Sequence, residues 1–338
     1  MKRLAKVLCL FAAFVLVSTA VSAQTLKNVK ERGVLNCGVN QGLVGFGSTD
    51  DKGNWTGFDV DFCRAIAAAI FNDPTKIKFV PLSADERFST LRSGSIDILS
   101  RNSTWTMSRE TPLGLNFAAI TYYDGQGFLV RKALKINTAL ELDGKSVCAL
   151  TGTTSVLNFA DYFRSNKMKY ETVTVSSAAE MLKAYEADKC SVVTSDISQL
   201  HAEKLKLAKP DDHIILPEII SKEPLGPAVR QGDDQWFNLV KWVHFAMINA
   251  EELGVNQRTL DQALKSEKPD VKRLIGTEGN YGEQIGLTND WVARIVRFVG
   301  NYGEVFERNV GTGSKLGVPR GVNNLWNNGG LQYAPPIR

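Results

Sequence analysis

Histidine is scarce: His201, His213 and His244 are the only three in 338 residues. Their spacing fits no metal-binding motif, so neither a His-based metal centre nor a histidine-dependent triad is expected. An excess of charge of one sign is also missing. Forty Lys+Arg face 36 Asp+Glu, and Lys2, Arg3 and Lys6 alone account for most of the formal +4. The remainder is nearly neutral, which excludes a basic nucleic-acid footprint. The sequence contains no G-x-S-x-G elbow, P-loop, H-E-x-x-H, C-x-x-C or G-x-G-x-x-G, so the common hydrolytic and nucleotide-binding chemistries have no carrier. Long apolar runs are absent after the N-terminus.

At the N-terminus, Lys2, Arg3 and Lys6 precede an apolar run from Val7 to Val17. Val21-Ser22-Ala23 closes it as a small-x-Ala site. This is the pattern of a secretory signal peptide over residues 1–23. A membrane anchor is the alternative, but the run is shorter than the ~20 residues a spanning helix needs. Cys9 lies inside the run rather than at the cleavage point, which gives no support to a lipid anchor. The remaining chain, from residue 24, is expected to be an exported soluble protein. Its four cysteines, Cys37, Cys63, Cys148 and Cys190, would meet an oxidising compartment, where two disulfides or four buried thiols are the alternatives.

The full sequence has 43% hydrophobic and 22% charged residues, and the part after residue 23 is long enough for two domains. Strand-like Gly33–Val39, Ile77–Pro81 and Ile96–Leu99 alternate with helix-like Phe62–Phe71 and a segment opened by Ser83-Ala84-Asp85-Glu86, a capping box. This β-α-β-α-β order predicts a doubly wound parallel sheet. The rhythm restarts at Lys145–Leu150 and runs through a helix at Ser155–Phe163, a strand at Tyr170–Val175, a second capping box at Ser177–Glu180 and a strand at Ser191–Thr194. Two lobes are expected, linked by extended segments at Tyr122–Gly127 and Ile219–Gly226 and separated by a cleft. The expected division is 24–123 for lobe I, 124–221 for lobe II, 222–274 returning to lobe I, and 275–338 as a C-terminal extension packed on the lobes. Within 222–274, Trp236, Leu239, Val240, Val243 and Met247 fall on one face of a helix, with a structural or exposed His244 at its border. Ile285, Leu287, Trp291, Ile295, Val296, Phe298 and Val299 give the extension too much apolar surface for a disordered tail.

If Cys148 and Cys190 sit on neighbouring parallel strands, about 4.8 Å apart, a bridge between them is within reach. Cys37 and Cys63 would then pair, linking the first strand to the helix after it.

Candidate binding chemistry concentrates between Gly94 and Arg109. A strand ends near Leu99, and Asn102, Ser103, Thr104 and Thr106 precede Arg109. Ligands of open α/β sheets bind outside the carboxyl ends of strands. A guanidinium with hydroxyls and an amide suits a carboxylate. A polar loop carrying a surface salt bridge fits the spacing equally well. In the second lobe, Gly152-Thr153-Thr154 stands where a helix begins, and amides there attract anions. Asp196 ends another strand of that lobe and is a natural acceptor for an ammonium. Its alternative role is to cap the helix that begins at Ile197. Together these groups have the polarity of a zwitterionic amino acid.

The ordered set Gly57-Phe58-Asp59-Val60-Asp61, Gly94-x-x-Asp97, Thr106-x-x-Arg109, Gly152-Thr153-Thr154 and Val192-Val193-Thr194-x-Asp196 resembles the polar amino-acid-binding proteins of ABC importers. Asn102 to Arg109, Asp290-Trp291, Val299 to Gly303, Pro319 to Trp326 and Gly329 to Arg338 resemble a narrower branch, the general L-amino acid-binding proteins. The resemblance implies a two-lobed periplasmic-binding fold that closes over one amino acid. It implies that Arg109 grips the α-carboxylate with the amides beside Thr153 and Thr154, that Asp196 takes the ammonium, and that Asn102, Thr104 and Thr106 contribute to the pocket. The partners it implies are an L-amino acid of broad, polar-leaning range and the inner-membrane permease subunits. No cofactor, no metal and no catalysis are expected, and the chain is expected to act as a monomer. One departure from the family pattern is that Leu43 precedes Phe46 and Asn40 stands where an acid often occurs.

Overall fold

The predicted alternation becomes two separate sheets in the computed structural model, which describes residues 24–338. The signal peptide expected over residues 1–23 lies outside the described residues. One sheet has the strand order Ile77–Leu82, Leu35–Asn40, Ile98–Leu99, Ala228–Arg230, Leu115–Phe117. The other runs His213–Ile215, Tyr122–Arg131, Val192–Asp196, Lys145–Leu150, Tyr170–Val175. Helices flank both, as expected of a two-lobed α/β chain.

Neither sheet is wholly parallel, which corrects the sequence expectation. Leu35–Asn40 pairs in parallel with both its neighbours. Ala228–Arg230 runs against both of its own, because it returns from the other lobe and so arrives from the opposite direction. Tyr122–Arg131 does the same in the second sheet, running against Val192–Asp196. The two crossing segments also pair with each other: Tyr122–Gln126 lies antiparallel to Ser221–Leu225. The lobes are thus joined by a two-stranded ribbon.

Local signals explain some element boundaries. Ser83 and Glu86 bond reciprocally, Ser83 N–H to Glu86 Oε1 at 2.7 Å and Glu86 N–H to Ser83 Oγ at 3.3 Å, just before the helix Arg87–Arg92. The second capping box is only half formed. Ser177 Oγ accepts from Glu180 N–H, but Glu180 reaches back to Ser176 instead. The helix Asp234–Glu252 buries the predicted face, Trp236, Leu239, Val240, Val243 and Met247. His244 is buried beside it, among Phe62, Phe245 and Tyr302.

Two disulfides fasten the sheets. Cys37 bonds to Cys63, tying the strand Leu35–Asn40 to the helix Phe58–Phe71. Cys148 bonds to Cys190 with Cα atoms 5.7 Å apart. Val193 lies opposite Cys148 in register, and Cys190 sits just before the strand Val192–Asp196, so the bridge ties Cys148 to the chain entering the neighbouring parallel strand rather than to a position opposite it.

Beyond residue 275 the chain is folded onto the first sheet's helices. Trp291, Val292, Ile295, Val296, Tyr302, Val305 and Phe306 join one core with Leu26, Ile66 and Val243. The last segment continues to the ribbon. The Asn323 side chain mimics a strand partner, accepting from Tyr123 N–H at 2.7 Å and donating to Tyr123 C=O at 2.9 Å. Tyr302 Oη–H donates to Thr121 C=O at 2.9 Å, and Gln332 Nε2–H donates to Tyr302 Oη at 3.0 Å.

Candidate ligand site

Between the lobes lies a cavity of about 310 Å³, lined by the carboxyl ends of strands from both sheets. Its first-sheet wall includes Asn40, Leu43, Arg87, Arg101, Asn102, Thr104 and Arg109. Its second-sheet wall includes Thr153, Thr154, Ser195, Asp196 and Lys206. The walls touch around it. Arg87 Nη2–H donates to Gly152 C=O at 3.1 Å, Thr151 Oγ1–H to Asp85 at 2.8 Å, and Lys206 Nζ to Gly42 C=O at 3.1 Å. Gly152 has φ +67°, and a Cβ there would meet Asp85 Oδ1 at 2.2 Å. Glycine suits this left-handed φ, and a side chain here would displace Asp85 and press on the Ala84 backbone 3.1 Å away.

Arg109 is buried, with Nη1–H donating to Thr104 C=O at 3.0 Å and Nη2–H to Gly152 C=O at 3.4 Å. Its guanidinium also lies over Phe88, 5.3 Å from the ring centre. Burial lowers its pKa, partly opposed by Asp196 and Glu223, but a guanidinium remains charged at neutral pH.

Asp196 settles its alternative role. It precedes the helix Ile197–Lys204 but makes no side-chain cap bond. Asp124 takes that position instead, accepting from Ser198 N–H at 3.3 Å and from Ser198 Oγ. Among the described residues Asp196 has no side-chain hydrogen-bond partner, although it is only 7% exposed. Burial first, then Asp124 and Glu223, push its carboxyl well above the usual range, while Arg109 and Arg87 pull the other way. A buried carboxyl facing a cavity without a partner suits a cationic ligand group.

Three threonine hydroxyls at the cavity are committed to acceptors within the protein. Glu223, on the crossing strand and 1% exposed, accepts from Thr104 Oγ1 at 2.6 Å, Thr154 Oγ1 at 3.0 Å, Asn158 Nδ2 at 2.6 Å and Ser221 Oγ at 2.7 Å. Thr153 Oγ1–H donates to Leu150 C=O at 2.7 Å. A hydroxyl has one proton to give. The Thr104, Thr153 and Thr154 oxygens therefore offer lone pairs to the cavity, which suit an ammonium rather than a carboxylate. Asn102 lines the cavity, its Oδ1 accepting from Asn40 Nδ2 at 3.0 Å. Thr106 is the exception. It does not line the cavity, and its Oγ1 pairs with Ser108 Oγ at 3.1 Å on the exposed side of Met107–Glu110. Phe46 faces the core against Phe58 and Tyr122, leaving Leu43 as the apolar side chain of that loop at the cavity.

Sequence reasoning missed Arg87, Arg101 and Glu223. Arg101 stood in the polar stretch after Leu99 and carried a signal. Glu223 was inside the predicted crossing segment beside Pro224. Arg87 followed the capping box with nothing to mark it as buried. Among the described residues no cluster of His, Cys, Asp and Glu could hold a metal ion, and no helix is long and apolar enough to cross a membrane.

Residues 35–259 match the model of the bacterial extracellular solute-binding proteins, family 3. The chain belongs to that family. It is a solute-binding protein, not an enzyme. It is 56% identical over 323 residues to the general L-amino acid-binding periplasmic protein AapJ of Rhizobium johnstonii, covering 95% of each chain. It is 49% identical to the glutamate/glutamine/aspartate/asparagine-binding protein BztA of Rhodobacter capsulatus, covering 96% of each. A solved ABC transporter periplasmic binding protein from Brucella ovis, with glutathione bound, superposes with a TM-score of 0.92 at 55% identity, covering 94% of this chain and all of that one. The family match ends at residue 259, but these relatives align over nearly the whole chain, extension included.

Proposed function

We propose that this protein is a periplasmic receptor that captures L-amino acids by closing two lobes and delivers them to an ABC importer's permease. The observation that carries the reading is the partnerless buried carboxyl of Asp196 facing the same cavity as the guanidinium of Arg109. The curated names of AapJ and BztA support amino acids as the solute, and the glutathione-bound relative carries the same α-amino-acid head on its glutamyl end. In this reading Arg109, with the amides at Thr153 and Thr154, holds the α-carboxylate. Asp196 and the lone pairs of Thr104 and Thr154 hold the ammonium, and Asn102 adds a polar wall. Segments 24–123 and 222–274 form lobe I, 124–221 forms lobe II, and 275–338 is an extension on lobe I. Residues 1–23 direct export, and the receptor works as a monomer.

Closure is favoured as far as the ligand binds the closed state better than the open one. A micromolar site needs about 8 kcal/mol, within reach of several charge-assisted bonds at about 1.5–3 kcal/mol each. Calorimetry with the twenty L-amino acids, matched D-isomers, amines and amides tests the reading. Several L-amino acids should bind tightly, and ligands lacking the free carboxylate or ammonium should bind weakly. Equal affinity for L- and D-forms would contradict it.

A further inference from the structure

The C-terminal extension grips the ribbon that joins the lobes. In the ribbon Tyr123 lies opposite Pro224. Proline has no N–H to give, so this pair exchanges no ladder bonds, and the N–H and C=O of Tyr123 point away from the partner strand. One side-chain amide, that of Asn323, meets both, at 2.7 and 2.9 Å. Asn323 is buried and anchored in turn. Its backbone C=O accepts from Arg320 Nε–H at 3.3 Å, and Arg320 forks onto Glu251 of the helix Asp234–Glu252 at 3.0 and 3.2 Å. A charged, two-bonded fork is a firm support for the amide.

The returning strand is held at the same level. Trp105 N–H donates to Pro224 C=O at 2.8 Å, and Gly226 N–H donates to Ser103 C=O at 3.1 Å. Past the Tyr123–Pro224 pair the second sheet takes over. Gln126 pairs with Asp196, and Ile220 N–H donates to Gln126 C=O at 2.9 Å. Between the two grips lie Asp124 and Gly125 on one strand, facing Glu223 and Lys222 on the other. A hinge is a short span of this kind that absorbs the backbone change. Asp124 fastens the helix after Asp196, and Glu223 holds Thr104 and Thr154, so bending here reaches both cavity walls.

We propose that the C-terminal extension is a hinge clasp with Asn323 as its positioning residue: by occupying the outer edge of Tyr123, it confines the bending of lobe closure to residues 124–125 and 222–223. This rests on the reading that the lobes close over an amino acid. Without the clasp the bend spreads back along the crossing strand toward Thr121. The open state gains those conformations, whereas contacts between the lobes restrain the closed one. The open state is then favoured, and every ligand loses affinity by the same factor.

The test is pulsed electron spin resonance on the full mature chain, spin-labelled through Lys27→Cys and Asp161→Cys, exposed positions on helices beside the first and second sheets. Asn323→Ala should roughly double the width of the ligand-free distance distribution. In calorimetry it should weaken L-glutamate and L-glutamine equally, by about three- to tenfold, the scale of freeing about one residue's backbone in the open state. Val296→Ala, buried in the extension's core, is the stability control: it should lower the melting midpoint yet leave width and affinities within about twofold. An unchanged width or unchanged affinity in Asn323→Ala overturns the proposal. The same broadening in Val296→Ala overturns it as well, and so does unequal weakening of the two amino acids. The ligand-free widths decide it whichever amino acid binds. If Asn323→Ala does not fold, hydrogen exchange on the ligand-free wild type takes its place. There the Tyr123 amide should exchange at least about tenfold more slowly than those of Asp124 and Gly125, and equal rates overturn the clasp. A wild-type distance that does not shorten when either amino acid binds refutes lobe closure itself, a separate failure.

Discussion

Asp196→Asn separates charge from shape at the centre of the cavity. The carboxyl makes no cap bond and has no side-chain partner among the described residues, while Asp124 fastens the helix Ile197–Lys204. The substitution therefore removes nothing that holds the ligand-free fold. Its melting midpoint should stay within about 2 °C of wild type, or rise, since a buried carboxyl crowded by Asp124 and Glu223 is replaced by a neutral amide. Binding should suffer instead. A charge-assisted hydrogen bond to an ammonium contributes about 1.5–3 kcal/mol, so affinity should fall roughly ten- to a hundredfold at 1.4 kcal/mol per decade. The pH dependence adds a second signature. The free-state pKa is raised, and a bound ammonium favours the anion, so binding expels a proton from whatever fraction of Asp196 is protonated. Affinity should rise with pH up to the free-state pKa and then level off. Calorimetry in two buffers of different ionisation heat measures the released proton, and the release should vanish in Asp196→Asn. Affinity within twofold of wild type, or a ligand-free midpoint lowered by more than about 5 °C, would refute the assignment.

Other substitutions test neighbouring parts of the same reasoning. Arg109→Ala should weaken all amino acids alike by about 3–5 kcal/mol, and Arg109→Lys should recover only part in a binding titration, because an ammonium cannot give the parallel fork. His244 is held neutral by burial, with its pKa pushed down to about 4. The unfolded chain therefore takes up its proton first as pH falls below about 6.5. Stability should be lost between about pH 6.5 and 4, by roughly 3 kcal/mol at 1.36 kcal/mol per pH unit, and denaturant melts of His244→Gln should show a flatter pH profile. Replacing Cys148 and Cys190 by serine releases a 42-residue separation. Chain-entropy arithmetic gives about 4 kcal/mol for such a loop, readable as a lower urea midpoint.

Periodicity made the helices and strands legible because each buries one face: the stripe from Trp236 to Met247 could be read directly. Strand direction was not legible, because Ala228–Arg230 and Tyr122–Arg131 look like any apolar strand until the crossing is known. In the site, Arg109 and Asp196 could be named because they end elements at the cleft. Arg87 and Glu223 could not, since charged residues beside a capping box or a proline ordinarily face solvent. The bonds of the Thr104 and Thr154 hydroxyls were not legible either, because their acceptor, Glu223, is far away in sequence.

The way the extension closes the first core bears on the order in which the molecule can assemble. The second sheet draws its strands from one uninterrupted stretch, Tyr122 to Leu225, whereas the first core gathers residues from Leu26 to Ala334. Contacts that span so much chain form late, so the shorter-range lobe can fold while the other waits for its C-terminus. All six tryptophans, Trp55, Trp105, Trp236, Trp242, Trp291 and Trp326, fall outside residues 124–221. Indole fluorescence during refolding therefore reports the late lobe alone, and the early one must be followed by far-ultraviolet circular dichroism or by its tyrosines, Tyr162, Tyr170 and Tyr185.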